Sequence, residues 1–146
     1  MRHRITATGF LLAGLFATSA GAQQSIDSLI DREIGSLVST YKMLHAAPEL
    51  SHHEEKTSVF FASQLRAMGY TVTEHVGKFD RPEWVGYGVV AVMKNGDGPT
   101  VLVRTDIDAL PVEEKTGLAY ASKVKTKNDA GQETGVMHAC GHDIHV

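Results

Sequence analysis

Cysteine is almost absent here: Cys140 is the single one in 146 residues. An internal disulfide is therefore excluded. A lone thiol in an oxidising compartment is a liability unless it is buried, metal-bound or catalytic. Aromatic residues make up only 7%, with Trp84 the sole tryptophan. Trp84 covers either a core or a ligand, and the sequence does not decide which. There is no basic excess, since 14 Lys and Arg face 17 Asp and Glu for a net charge of −3. That argues against nucleic acid or an anionic membrane as partner, because both require basic patches. Internal repeats, low-complexity tracts and a Gly-rich phosphate loop are all missing.

The first feature present is a targeting segment. Arg2, His3 and Arg4 form a basic head, residues 5–16 are mostly apolar, and Ala20-Gly21-Ala22 has small residues at the spacing of a signal-peptidase site. This is the pattern of a secretory signal peptide over 1–22, so the protein is expected to be exported, to a periplasm or outside the cell. The apolar run is shorter than the roughly 20 residues of a bilayer span, and no basic stop-transfer group follows it. The mature chain would be 23–146. Losing Arg2 and Arg4 lowers Lys and Arg from 14 to 12 against 17 acidic residues, giving a net charge of −5.

Ile26, Leu29, Ile30, Ile34, Leu37, Val38, Tyr41 and Leu44 recur at helical spacing. They predict an amphipathic, core-facing helix of about 20 residues, with Ser25 as N-cap and Pro48 beyond its end. Ser51-His52-His53-Glu54 has capping-box spacing for a second helix. Its buried stripe would be Val59, Phe60, Leu65 and Met68, and Gly69 would close it. His45, His52 and His53 read as surface or linker residues. Residues 70–76 alternate and read as a strand. Residues 88–94 and 100–104 are apolar runs around Asn95-Gly96-Asp97-Gly98-Pro99, which predicts a hairpin of strands buried on both faces. Residues 112–136 read as a long irregular excursion. The fold class is α/β, a mixed sheet covered by helices.

Two stretches carry chemistry. Asp106 and Asp108 follow the apolar run 100–104, where open α/β sheets gather ligands at strand ends. A pair of turn-forming aspartates before Pro111 is the plainer alternative. Met137-His138-Ala139-Cys140-Gly141-His142-Asp143-Ile144-His145 packs a thiol, three imidazoles and a carboxylate into nine residues. These are the donors that bind first-row transition metals. The sequence stops at Val146, directly after this motif with no closing element. That pattern is expected of a piece of a longer protein.

Leu44-His45-Ala46-Ala47-Pro48-Glu49-Leu50-Ser51, Arg104-Thr105-Asp106-Ile107-Asp108-Ala109-Leu110-Pro111-Val112-Glu113-Glu114, Tyr120-Ala121-Ser122 and the closing motif occur in this order. Together they resemble the amidohydrolase branch of the aminoacylase/carboxypeptidase family of metallopeptidases. That branch includes hippurate hydrolases, N-acetyl-amino-acid deacetylases and hydrolases of auxin–amino-acid conjugates. The resemblance covers nearly all of 23–146 and implies the first part of a three-layer zinc-peptidase-like domain. It implies two divalent ions (zinc, manganese, cobalt or nickel) and hydrolysis of the amide bond of an N-acyl amino acid or small peptide. By position, Cys140 matches a thiolate ligand that can bridge the ions and His142 a ligand to one of them. Asp108 matches the aspartate that orients a ligand. Asp106 stands where related carboxypeptidases carry a metal-binding histidine, and Asp143 and His145 lie near the site.

The family's proton-shuttling glutamate lies beyond the Cys-Gly-His motif, in an acidic pair that Glu113-Glu114 should not be mistaken for. Further histidine ligands and a dimerisation domain lie beyond it as well. Residues 23–146 alone are therefore expected to be inactive, and the complete protein to form a homodimer. Three other readings remain. They are a dipeptidase or carboxypeptidase of the same family, a non-catalytic metal-binding protein, and a hydrolase using Cys140 as nucleophile with His142 or His138.

Overall fold

The computed structural model describes residues 25–146, so the segment read as a signal peptide lies outside the described residues. Helix α1, Ile26–Ala46, starts on Ser25, whose side chain accepts from the Ser28 N–H at 3.2 Å. Its apolar stripe is less covered than its periodicity predicts. Ile26, Ile30, Ile34 and Leu37 are exposed, and only Leu44 and His45 at the C-terminal end are buried.

Helix α2, Glu55–Ala67, begins without the expected capping box, for Glu54 makes no side-chain cap bond. The Glu49 carboxylate does that work from outside. It accepts from the N–H of Lys56 at 3.3 Å and of Thr57 at 2.8 Å, and from the Thr57 hydroxyl at 2.8 Å. A carboxylate there satisfies free amides and opposes the positive end of the helix dipole. The buried side of α2 is Thr57, Ser58 and Ala62, while Val59 and Met68 from the expected stripe are exposed.

Strand β1, Thr71–Val76, pairs antiparallel with β2, Gly88–Val92, and α2 packs against both. The predicted hairpin with 100–104 does not form: β2 pairs with the strand before it instead. Val101, Leu102 and Val103 stay 82–87% exposed. Both β1 and β2 alternate between exposed and partly covered positions, so neither is buried on two faces. The excursion after Pro111 contains a second ladder, β3 Lys125–Lys127 with β4 Glu133–Gly135. Its turn is held by the Asn128 side-chain oxygen, which accepts from Ala130 and Gln132 N–H at 3.0 Å each. Helix α3, His142–His145, closes the order. Among the described residues no helix is long and apolar enough to cross a membrane.

Candidate metal centre

Three distant segments are laced together around Asp108. The Ala109 N–H donates to the Glu49 carbonyl at 2.7 Å, within a parallel bridge between Leu50 and Ala109. Leu110 and Met137 exchange two backbone bonds of 3.0 Å. Leu50, Ala109 and Val136 form a small buried core beneath this lacing, with Val124 against it. Gly135 permits the approach, because a Cβ there would lie 2.7 Å from Glu113 Cα. The chain then runs through His138 into a turn closed by a bond from the Gly141 N–H to the His138 carbonyl. Gly141 has φ of 72°, a left-handed conformation that glycine adopts without penalty. Cys140 and His142 flank it.

His142 therefore arrives beside Asp108. Its Nδ1 lies 2.9 Å from Asp108 Oδ1 and 2.8 Å from the Asp108 carbonyl. Both are acceptors, so Nδ1 is the donor and Nε2 is the nitrogen left to face an ion. Metal-binding histidines are commonly held this way, with the remote nitrogen donating to a carboxylate or carbonyl. Cys140 is exposed, and the His145 ring lies 5.5 Å from that of His142. Asp106 is drawn elsewhere, to Arg104 at 2.5 Å. His138 is buried, and its Nδ1 has no partner among the described residues. Burial holds that imidazole below its ordinary value.

His45, read from sequence as a linker residue, is buried between two carboxylates. Its Nδ1 is 2.6 Å from Asp143 Oδ2 and its Nε2 is 3.1 Å from Glu114 Oε1. Burial pulls His45 down, but the two carboxylates outweigh it and leave the imidazole above its ordinary value. Glu114 is moved the other way. Burial pushes it up, and bonds from Thr116, the Ser122 N–H and His45 bring it below the ordinary carboxylate range. One signal in the sequence pointed here: His45 lies four residues after Tyr41 on the apolar stripe of α1.

An open cleft of about 320 Å³ adjoins Asp108, walled by His52, Glu54, Phe79, Tyr87, Arg104 and Asp106. Trp84 stacks on His52 at 4.0 Å, which answers what it covers. Among the described residues no three His, Cys, Asp or Glu side chains converge to hold a metal ion. The donors at the turn nonetheless fit a divalent transition ion: an accessible thiol, and an imidazole whose proton is fixed on the far nitrogen. Cys140 and His142 are the residues that would hold it.

Residues 102–146 match Peptidase family M20/M25/M40. Over that stretch the chain is similar to that family. It is 42% identical over 111 residues to an N-acetyl-L-cysteine deacetylase of Bacillus subtilis, covering 75% of this chain and 23% of that one. A thermostable carboxypeptidase of Saccharolobus solfataricus is also 42% identical over 111 residues, covering 75% and 24%. The crystal structure of a Bacillus subtilis protein described as a dinuclear metal-binding peptidase from the M20 family superposes with a TM-score of 0.57. That match is 33% identical and covers 82% of this chain and 28% of the other. The chain thus spans about a quarter of the length of these relatives. Over the shared part its α/β organisation is that of this crystal structure.

Proposed function

We propose that this chain contributes two donors, Cys140 and His142, to a dinuclear metal site in a hydrolase that cleaves the amide bond of N-acyl amino acids. The observation that carries the reading is the Asp108–His142 contact, which fixes the imidazole tautomer needed by a metal ligand. The deacetylase, carboxypeptidase and dinuclear peptidase among the matched relatives support the reaction class. A bound pair of ions would activate water and polarise the scissile carbonyl. Asp108 holds the Nδ1 proton of His142, and the cleft beside it offers room for a small substrate. Glu114 is not the proton shuttle, because it is buried and saturated by His45, Ser122 and Thr116. Export is part of the proposal, supported by the basic head, apolar run and Ala20-Gly21-Ala22 of the N-terminus.

The test is metal analysis and turnover in the full-length protein. Two divalent ions per chain are expected, with release of free amino acid from N-acetyl amino acids abolished by a chelator and restored by zinc, manganese, cobalt or nickel. Residues 23–146 alone should give no turnover. Activity that survives chelation but is lost on alkylating Cys140 would instead establish the thiol as nucleophile.

A further inference from the structure

We propose that His45 is a positioning residue for the metal centre, holding the turn at 140–142 in its metal-binding shape through Asp143. The proposal rests on the reading above of Cys140 and His142 as ligands.

Helix α3 is only four residues long and has no side-chain cap at its N-terminus. A helix that short does not persist by its own hydrogen bonds, so contacts from elsewhere must fix it. Two carboxylate–imidazole contacts on consecutive residues do so. His142 is held by Asp108, from the laced segments. Asp143 is held by His45, from the last turn of the 21-residue helix α1. Both contacts hold the residues that follow Gly141, which itself offers no side chain to pack.

The His45 contact is built to be rigid. The side chains of His45, Glu114 and Asp143 are 7%, 0% and 1% exposed. Glu114 is anchored through its other oxygen, Oε2, by the Ser122 N–H, and the Thr116 hydroxyl donates to Oε1 beside His45. The rings of Tyr41 and Tyr120 each sit 5.5 Å from the imidazole. An imidazole bonded through both nitrogens and walled by two rings cannot rotate without breaking a buried contact. Removing His45 would leave two buried carboxylates without their shared hydrogen-bond partner, so Asp143 would leave its place and carry the preceding His142 with it. A buried ion pair that only supports the core would lower stability and leave metal affinity unchanged. The two roles therefore separate experimentally.

The experiment uses the full-length protein and His45→Gln, Asp143→Asn, Glu114→Gln and the His45→Gln/Asp143→Asn double variant. Zinc affinity is measured by competition with a chromogenic chelator, and thermal unfolding is measured on the metal-free forms. Zinc binding should weaken about 10–100-fold in His45→Gln and in Asp143→Asn, the range found for partners that orient metal ligands. The double variant should be no weaker than the worse single, because the two residues act as one unit. Saturating zinc should restore most of the turnover. Glu114→Gln keeps the His45–Asp143 contact and should lose less, and it carries the comparison if His45→Gln does not fold. Unchanged zinc affinity in folded variants, with a lowered melting temperature, overturns the proposal and leaves the two-ion reading standing. A wild-type protein that takes up no metal overturns both.

Discussion

Asp108 and His142 stand 34 positions apart and share one proton at 2.9 Å. Asp108→Asn keeps the size of the side chain and removes its charge. It should weaken zinc binding in the full-length protein by about 10–100-fold, with Asp106→Asn, whose carboxylate is already taken by Arg104, changing it far less. Chelator competition reads both. His45 adds a pH dependence. Its folded-state value lies above the unfolded value of about 6.5, so its contribution to stability is complete below that pH and lost as pH rises through the folded value. Glu114, shifted down, contributes above the ordinary carboxylate range and loses its contribution as pH falls through its folded value. The bridge is thus tightest in mildly acidic solution. Urea midpoints of the metal-free full-length protein at pH 6 and pH 9 should differ less in His45→Gln than in wild type; an equal difference would contradict this. Cys140, His142 and Asp108 stand out from sequence because their residue types declare metal chemistry. His45 and Glu114 do not, since a buried histidine's worth depends on carboxylates 98 and 69 positions away.

At the scale of elements, α1 is legible because its stripe and cap are local, and β1 because its alternation is local. Helix α2 is legible in place but not in its start. The capping-box spacing at Ser51 is present, yet the helix starts at Glu55 and the Glu49 carboxylate reaches its first free amides, those of Lys56 and Thr57, from seven and eight residues away. Glu49→Ala should cost about 1 kcal/mol of stability, the usual value of a lost helix cap, and Ser51→Ala much less. Urea unfolding of the full-length protein compares them. The ladder of β3 and β4 escapes sequence reading because each strand has three residues and β3 is the exposed Lys125-Thr126-Lys127. Its asparagine turn was the available signal. The run 100–104 misleads for the opposite reason: its composition is that of a strand, but pairing is decided by neighbours that composition does not specify.

Over the whole molecule, apolar side chains lie open where a sheet pattern expects cover. Val101, Leu102 and Val103 are 82–87% exposed, and α1 adds Ile26, Ile30, Ile34 and Leu37. Exposed apolar stretches with unpaired backbone are association surfaces. A protein consisting of residues 25–146 should elute above monomer size at micromolar concentration and bind a hydrophobic dye. Leu102→Lys should reduce both, and a monodisperse, dye-free wild-type fragment would contradict this. The long reach from His45 to Asp143 also sets an order in time. During synthesis His45 and Asp108 emerge well before Cys140, His142 and Asp143. A nascent chain stalled short of residue 140 carries no thiol and cannot sequester zinc at this site. If Cys140 and His142 hold the ion as proposed, its capture is thereby deferred until the bridge that shapes their turn can also close.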